Sequence, residues 1–341
     1  NSLSQIYIPI TKSELWDDDD SKKDRRFTIY AILAKTLKTI DILIHPFSPF
    51  TSQYLYEAIF SEKENILLES WPKVDSSLID ENVEKAFDLL KETVSVSSAA
   101  RMKGKLKRRW PLNKALICVN KGEKEILESL SELAKSQMNV QDFEVYEIEN
   151  KDGLEQYIEL KENGLPVIPN VQLERSGIGP KAKQDMGKLL KIFSETEPEL
   201  IINELKEKKS FTFEIGDNKI LLEKEDFIID FEVDEKHQFS KRQDLIVMIS
   251  LERDDEMMAK GLIKDLARRI QTLRKERGYN PTDILTKASI LDLEKDSLDM
   301  IKDKTDEIAF LVRVKNVDFT ESCKDYKNDD IDGSKIRIAV E

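Results

Sequence analysis

Apolar residues recur at Ile29, Leu33, Leu37, Ile40 and Leu43, close to one per helical turn, and this spacing predicts a helix from Lys22 to Ile44. His45-Pro46 should end it, because proline disfavours helical backbone in the residue before it. Ser48-Pro49 then sets a proline at the start of a second helix running through Tyr54 and Ile59. A loop is expected around Ser70-Trp71-Pro72. Asp80 is a good N-cap for a long helix from about Glu81 to Lys107, broken by Pro111. These elements predict an α-helical bundle over residues 1–110, with Trp16, Phe47, Phe50, Tyr54, Tyr56 and Trp71 as core aromatics.

The period changes at Pro111. Ala115 to Val119 is a short apolar run suited to a buried strand, Glu123 to Ser136 is helical, and Phe143, Val145 and Ile148 begin another strand. Strand, helix and strand at this spacing predict a small βαβ unit over residues 111–165, closed by Asn163-Gly164-Leu165-Pro166. Residues 166–341 read as an α+β extension. Pro180 to Phe193 and Pro198 to Glu207 are helical, and Phe211 to Ile215 and Lys219 to Leu222 flank a Gly216-Asp217-Asn218 hairpin. Phe227 to Val233 and Leu245 to Leu251 are expected strands. Glu256 to Arg277 is a long helix ending at Gly278. The fold class is therefore multidomain: a helical bundle followed by smaller α/β and α+β domains.

Composition narrows the chemistry. Among 341 residues, 40% are hydrophobic and 35% charged, and no apolar run is long enough to span a bilayer. The first residue is not Met and Asn1 to Ile10 reads as the inside of an element, which predicts a piece of a longer protein. The cysteines, Cys118 and Cys323, lack CxxC spacing, so reduced thiols of a cytoplasmic protein are the default. With His45 and His237 as the only histidines, no zinc site or Cys/His nucleophile can be assembled by spacing. His45 should pack or cap at its helix end and His237 should lie on a loop. The net charge of −13 argues against nucleic acid until local clustering is considered. Acid dominates at Asp17 to Asp20 and Asp325 to Asp332, while base is concentrated elsewhere.

Arg101-Met-Lys-Gly-Lys-Leu-Lys-Arg-Arg-Trp-Pro111 carries six basic residues in its first nine. On a continued helix Arg101, Lys105 and Arg108 would share a face, with Ala99, Met102 and Leu106 packing inward. Lys107, Arg109 and Trp110 complete a group of cations and one aromatic, the side chains that take phosphates and splayed bases of RNA. A solvated basic helix end, matched to the C-terminal dipole, is the other reading. Lys264, Arg268, Gln271 and Lys275 form a second stripe, opposite Leu262, Leu266, Ile270 and Leu273, and Arg269, Arg274 and Arg277 thicken its field. It is either a plain solvated face or a docking surface for RNA. Gly177-Ile178-Gly179-Pro180 before Lys181 and Lys183 is either an ordinary glycine turn or a helix start that holds a phosphate. No P-loop spacing and no catalytic carboxylate pair is found.

At these residues the chain resembles a known family. Leu37 to Tyr56, with its His-Pro-Phe-Ser-Pro-Phe core, is similar to the anticodon-domain helices of class I synthetases for branched aliphatic amino acids. Glu69-Ser-Trp-Pro-Lys-Val-Asp75 with Ser77 to Asp80 resembles the connection that follows. Arg101 to Leu112 is similar to the isoleucyl member, in its archaeal and eukaryotic-like branch. Gly179-Pro180-Lys181 and Asp265 to Arg277 look like that branch's C-terminal extension. The family's His-x-Gly-His and Lys-Met-Ser-Lys-Ser signatures have no counterpart here, nor does its editing domain. The resemblance implies a catalytically inactive, monomeric tRNA-reading part whose parent joins isoleucine to tRNA(Ile) with ATP and magnesium. The anticodon stem-loop is the implied partner; no DNA, membrane, metal or cofactor is expected at this part. A valyl-tRNA synthetase region and a non-catalytic scaffold are the alternatives.

Overall fold

The computed structural model describes residues 3–15, 20–60, 64–216, 218–320, 323–331 and 333–341. Trp16, the acids Asp17 to Asp19, Asp217 and Asp332 lie outside the described residues. The chain divides into two compact units, residues 1–91 and 92–341.

The first unit is built from α1 (Ile8–Leu15), α2 (Lys23–Ile44), α3 (Pro49–Ile59) and the start of α4 (Glu81–Lys103). The punctuation works as expected. His45 N–H bonds back to Asp41 O, Pro49 opens α3, and Asp80 Oδ1 accepts from the N–H groups of Asn82 and Val83. The interior is thin: Ile29, Tyr56, Ile66, Ala86 and Leu90 are its buried apolar residues among those described. Of the α2 stripe only Ile29 is buried, while Leu37, Ile40 and Leu43 are exposed. Of the expected core aromatics Tyr56 is buried, but Phe47 and Phe50 are 89% and 90% exposed and Tyr54 and Trp71 are exposed too.

The second unit mixes helices and sheets. β1 (Leu112–Asn120) runs into α5 (Lys124–Glu128) and α6 (Ser131–Met138) and returns as β2 (Val140–Ile148), parallel to β1. This is the expected βαβ unit. α7 (Gly153–Glu162), β3 (Val167–Leu173), α8 (Arg175–Ala182), α9 (Met186–Glu195) and α10 (Pro198–Lys208) follow. β4 (Ser210–Ile215) and β5 (Asn218–Glu223) form the expected hairpin, and β6 (Phe227–Val233) pairs with β3. β7 (His237–Arg242) and β8 (Leu245–Ser250) complete the first sheet, in the order β2-β1-β8-β7. The chain ends with α11 (Asp255–Glu276), β9 (Leu285–Leu291), α12 (Lys295–Ile301), α13 (Thr305–Val312), β10 (Val314–Asp318), β11 (Lys327–Ile331) and β12 (Ser334–Val340). These strands form a second sheet in the order β10-β9-β12-β11.

The expected architecture of a helical bundle followed by small separate domains is thus corrected. Helices and sheets of two to four strands are mixed among the described residues. The physical reason is long-range pairing: β1 lies antiparallel to β8, which periodicity within either segment cannot reveal. One core gathers Cys118, Leu160, Phe213, Phe227 and Met248 from distant segments. A second packs Leu262, Leu266, Ile270 and Leu273 of α11 on Ile290, Ile308 and Ile338. Each such side chain contributes about 1.5–3 kcal/mol by leaving water. α11 is therefore a fixed platform, and its outer face meets the loop between α4 and β1.

Candidate nucleic-acid interface

α4 ends at Lys103, not near Lys107. Leu106 N–H bonds to Arg101 O at 2.8 Å and Lys105 N–H to Met102 O at 3.1 Å, closing a helix stop with Lys105 in the left-handed region at φ 54°. The helical face expected for Arg101, Lys105 and Arg108 is not formed. The inward face is also reversed, since Met102 is 79% exposed whereas Arg101 is 2% exposed.

The Arg101 guanidinium ties loop to turn. It donates to Trp110 O at 2.8 Å and Lys107 O at 3.4 Å, and to Met138 O and Asn139 O at 2.8 and 2.9 Å. Burial, with the charge of Arg108 nearby, pushes its pKa down to about 10, so it stays charged at neutral pH. Asn139, left-handed at φ 53°, ends α6 and offers its amide to both sides. Its Nδ2 donates to Arg108 O at 3.0 Å, and its Oδ1 accepts from Lys264 Nζ at 3.2 Å.

Asp265 of α11 is the other anchor. Its buried carboxylate accepts from Lys107 Nζ at 3.0 Å, Arg109 Nη1 at 2.7 Å and Trp110 Nε1 at 3.2 Å. Burial pushes the carboxyl pKa up. The hydrogen bonds from Lys107 and Trp110 and the charges of Lys107 and Arg109 outweigh it, holding the group below the usual carboxylate range. Trp110 is 7% exposed and lies on Gly261, where an added Cβ would stand 2.6 Å from the ring. The Arg253 guanidinium stands 4.9 Å from the ring centroid. The indole is packing, not an open stacking platform.

The two basic stripes therefore meet. Lys105 and Arg108 are exposed, and so are Arg268 and Lys275; none of the four has a side-chain partner among the described residues. Lys264 and Arg108 are joined through Asn139, and Lys107 and Arg109 keep two-fifths of their side chains exposed at 40% and 38%. Within the second stripe Gln271 is bonded to Leu311 O, and Arg269 reaches Asp330 O. Arg274 is buried on the carbonyls of Val312, Arg313, Asn280 and Asp283, and Arg277 meets Val340 O. Those three arginines fasten α11 to its surroundings instead of extending the open stripe.

Lys181 and Lys183 lie apart from this surface. Gly177 to Pro180 sit inside α8, so Lys181 is in its last turn and Lys183 caps its C-terminal end. That end favours cations, and the expected helix start with free N–H groups is absent there. Lys181 is paired with Asp226 and with Glu223; Lys183 is exposed. His45 Nδ1 meets Ser52 Oγ at 2.8 Å, and His237 opens β7 rather than a loop, with its Nδ1 2.6 Å from Asp234 Oδ1. Cys118 and Cys323 are both buried thiols, and burial pushes Cys118 up to about 12.

Sequence reasoning missed Asp265, Asn139, Gly261 and Arg253. Asp265 carried a usable signal: an acid on the border between the apolar and basic stripes of one helix.

Residues 1–116 match the anticodon-binding domain of tRNA ligases. The chain as a whole is similar to isoleucine–tRNA ligases. It is 26% identical to that of Archaeoglobus fulgidus over 99% of this chain and 30% of the relative. It is 28% identical to that of Methanocella arvoryzae over 99% of this chain and 30% of the relative. It is also 28% identical to that of Saccharolobus solfataricus, over 99% of this chain and 33% of the relative. The similarity to isoleucine–tRNA ligases runs along nearly the whole chain, and the anticodon-binding match covers residues 1–116. It spans about a third of the length of these relatives. No described helix is long and apolar enough to cross a membrane.

Proposed function

We propose that this chain reads tRNA(Ile) for a parent enzyme that joins isoleucine to that tRNA in the cytoplasm. The reading assigns the parent's ATP and magnesium to the part of the enzyme outside this chain, and treats this part as a catalytically inactive monomer. One observation carries it. In a chain of net charge −13, sequence-remote cations are gathered on one surface around Asn139 and Asp265. Clustered charge of this kind is the footprint of a phosphate backbone, whatever the overall charge. Arg108, Lys105, Lys264, Arg268 and Lys275 are assigned to phosphates. Arg101 and Trp110 are interior and take no direct part. Lys181 and Lys183 belong to no cluster that supports the same role.

The test is binding of tRNA(Ile) and of a tRNA(Ile) with a foreign anticodon, measured over a range of salt. The intact tRNA should bind more tightly than the exchanged one. Replacing Arg108 and Arg268 with Ala should weaken both and lower the salt slope by about 0.7 to 0.9 for each phosphate no longer neutralised. Equal binding of both tRNAs by the wild type, or no binding, sinks the reading and leaves the scaffold alternative standing.

A further inference from the structure

We infer that Arg101 and Asn139 are positioning residues of this RNA-binding surface: without touching RNA, they hold the Arg108 segment beside Lys264 so that both cations meet one phosphate backbone. The inference rests on the reading above and assigns roles that the reading leaves open.

Arg108 sits between the two points at which the loop is tied down. Arg101 Nη1 holds the carbonyls of Lys107 and Trp110, on either side of it, at 3.4 and 2.8 Å. The other arm of the same guanidinium holds Met138 O and Asn139 O at 2.8 and 2.9 Å. A planar fork with fixed donors can bridge two backbone segments in this way, and an ammonium cannot. Asn139 adds the last link, from its own Nδ2 to Arg108 O at 3.0 Å and from Lys264 Nζ to its Oδ1 at 3.2 Å. Its amide thus links the Arg108 backbone carbonyl to the Lys264 ammonium, groups 156 positions apart in sequence.

Such a bridge has an electrostatic function. Cations placed side by side repel, and an unsupported loop would swing Arg108 away from Lys264. The pKa of Lys264 is lowered chiefly by desolvation; Glu307 opposes the shift, and the charges of Lys260 and Arg101 add to it. Holding the cations together beforehand removes the ordering cost that RNA binding would otherwise bear. Because Arg101 is buried, phosphate cannot reach its guanidinium.

The test uses the full chain and a hairpin RNA of the anticodon stem-loop, with affinity read by fluorescence anisotropy at several salt concentrations. Asn139→Gly is the main variant. Glycine accepts the left-handed backbone at this position, so the fold is kept while both amide links are removed. Arg101→Lys is the second, and hydrogen exchange of residues 104–110 gives a readout apart from binding. Asn139→Gly should weaken binding about five- to tenfold with an unchanged salt slope, and exchange in the loop should speed up. Arg108→Ala should lower the slope by about 0.7 to 0.9. The double variant Asn139→Gly/Arg108→Ala should lose less than the product of the two single losses, by about threefold or more. Independent losses, unchanged affinity in Asn139→Gly, or a slope loss in Arg101→Lys as large as that of Arg108→Ala would each overturn the positioning role while leaving RNA binding intact. Failure of the wild type to bind the hairpin overturns this inference together with the reading it rests on.

Discussion

The turn between α2 and α3 and the loop between α4 and β1 look alike as sequence, each with aromatics beside prolines, yet their aromatics meet opposite fates. In the first unit Phe47, Phe50 and Tyr54 stand exposed at 89%, 90% and 70%. In the second, Trp110 is 7% exposed, lying on Gly261 with its N–H bonded to Asp265. An aromatic side chain offers a large apolar area, but only a platform shaped to receive it converts that area into stability. α11 supplies that platform by having glycine where the indole approaches and a carboxylate where its N–H points. Phe47 follows α2 and Phe50 and Tyr54 lie on α3, where their apolar area stays open to solvent.

The sharpest way to break this contrast is to remove the indole. Trp110→Ala should destabilise the second unit by about 3–5 kcal/mol, seen as a clearly lower denaturation midpoint, because a buried ring leaves a cavity. A loss under about 1 kcal/mol would put Trp110 on the same footing as Phe50. Next in size is Gly261→Ala. A Cβ there would stand 2.6 Å from Trp110 Cδ2, and the overpacking should cost about 1–3 kcal/mol in urea unfolding. The same substitution at Gly187, where an added Cβ meets no atom within 4 Å, is the control.

Asp265 sharpens the comparison through pH. Its carboxyl pKa in the fold is below the ordinary value, so the stability it adds is fully present above its unfolded pKa and is lost as pH falls through the folded one. Thermal scans from neutral pH into the acid range should show that loss. Asp265→Asn should flatten this part of the profile, and an unaltered acid limb would mean the three donors hold nothing. The smallest effect is expected in the first unit, where Phe50→Ser should change stability by no more than about 0.5 kcal/mol. A drop comparable to that of Trp110→Ala would show that the exposed turn is packed in solution.

Much of the local structure is legible in the residues. The His45-Pro46 stop, the Pro49 start, the Asp80 cap, the β4–β5 hairpin and the amphipathic α11 follow from backbone sterics and from hydrogen bonds within a few residues. The resemblance to isoleucine–tRNA ligases also shows in short runs such as Arg101 to Leu112 and Asp265 to Arg277, and such relatives match over nearly the whole chain. The residue pattern overstates the reach of α4, because nothing in it excludes one more turn. The helix stop there relies on Lys105 adopting a left-handed backbone, a position glycine usually fills.

What the sequence determined by itself was where cations, aromatics and turns fall along the chain. Which cations face solvent was decided only in three dimensions. Lys107, Arg109 and Trp110 found their shared carboxylate 158, 156 and 155 residues away, and Arg101 found its acceptors 37 and 38 residues away at the end of α6. A charge is stabilised by whatever surrounds it after folding, and helical spacing reports only its neighbours on the same helix. Arg101 and Arg108 read as equivalent members of one basic run, and the tertiary structure made one an interior brace and left the other on the surface.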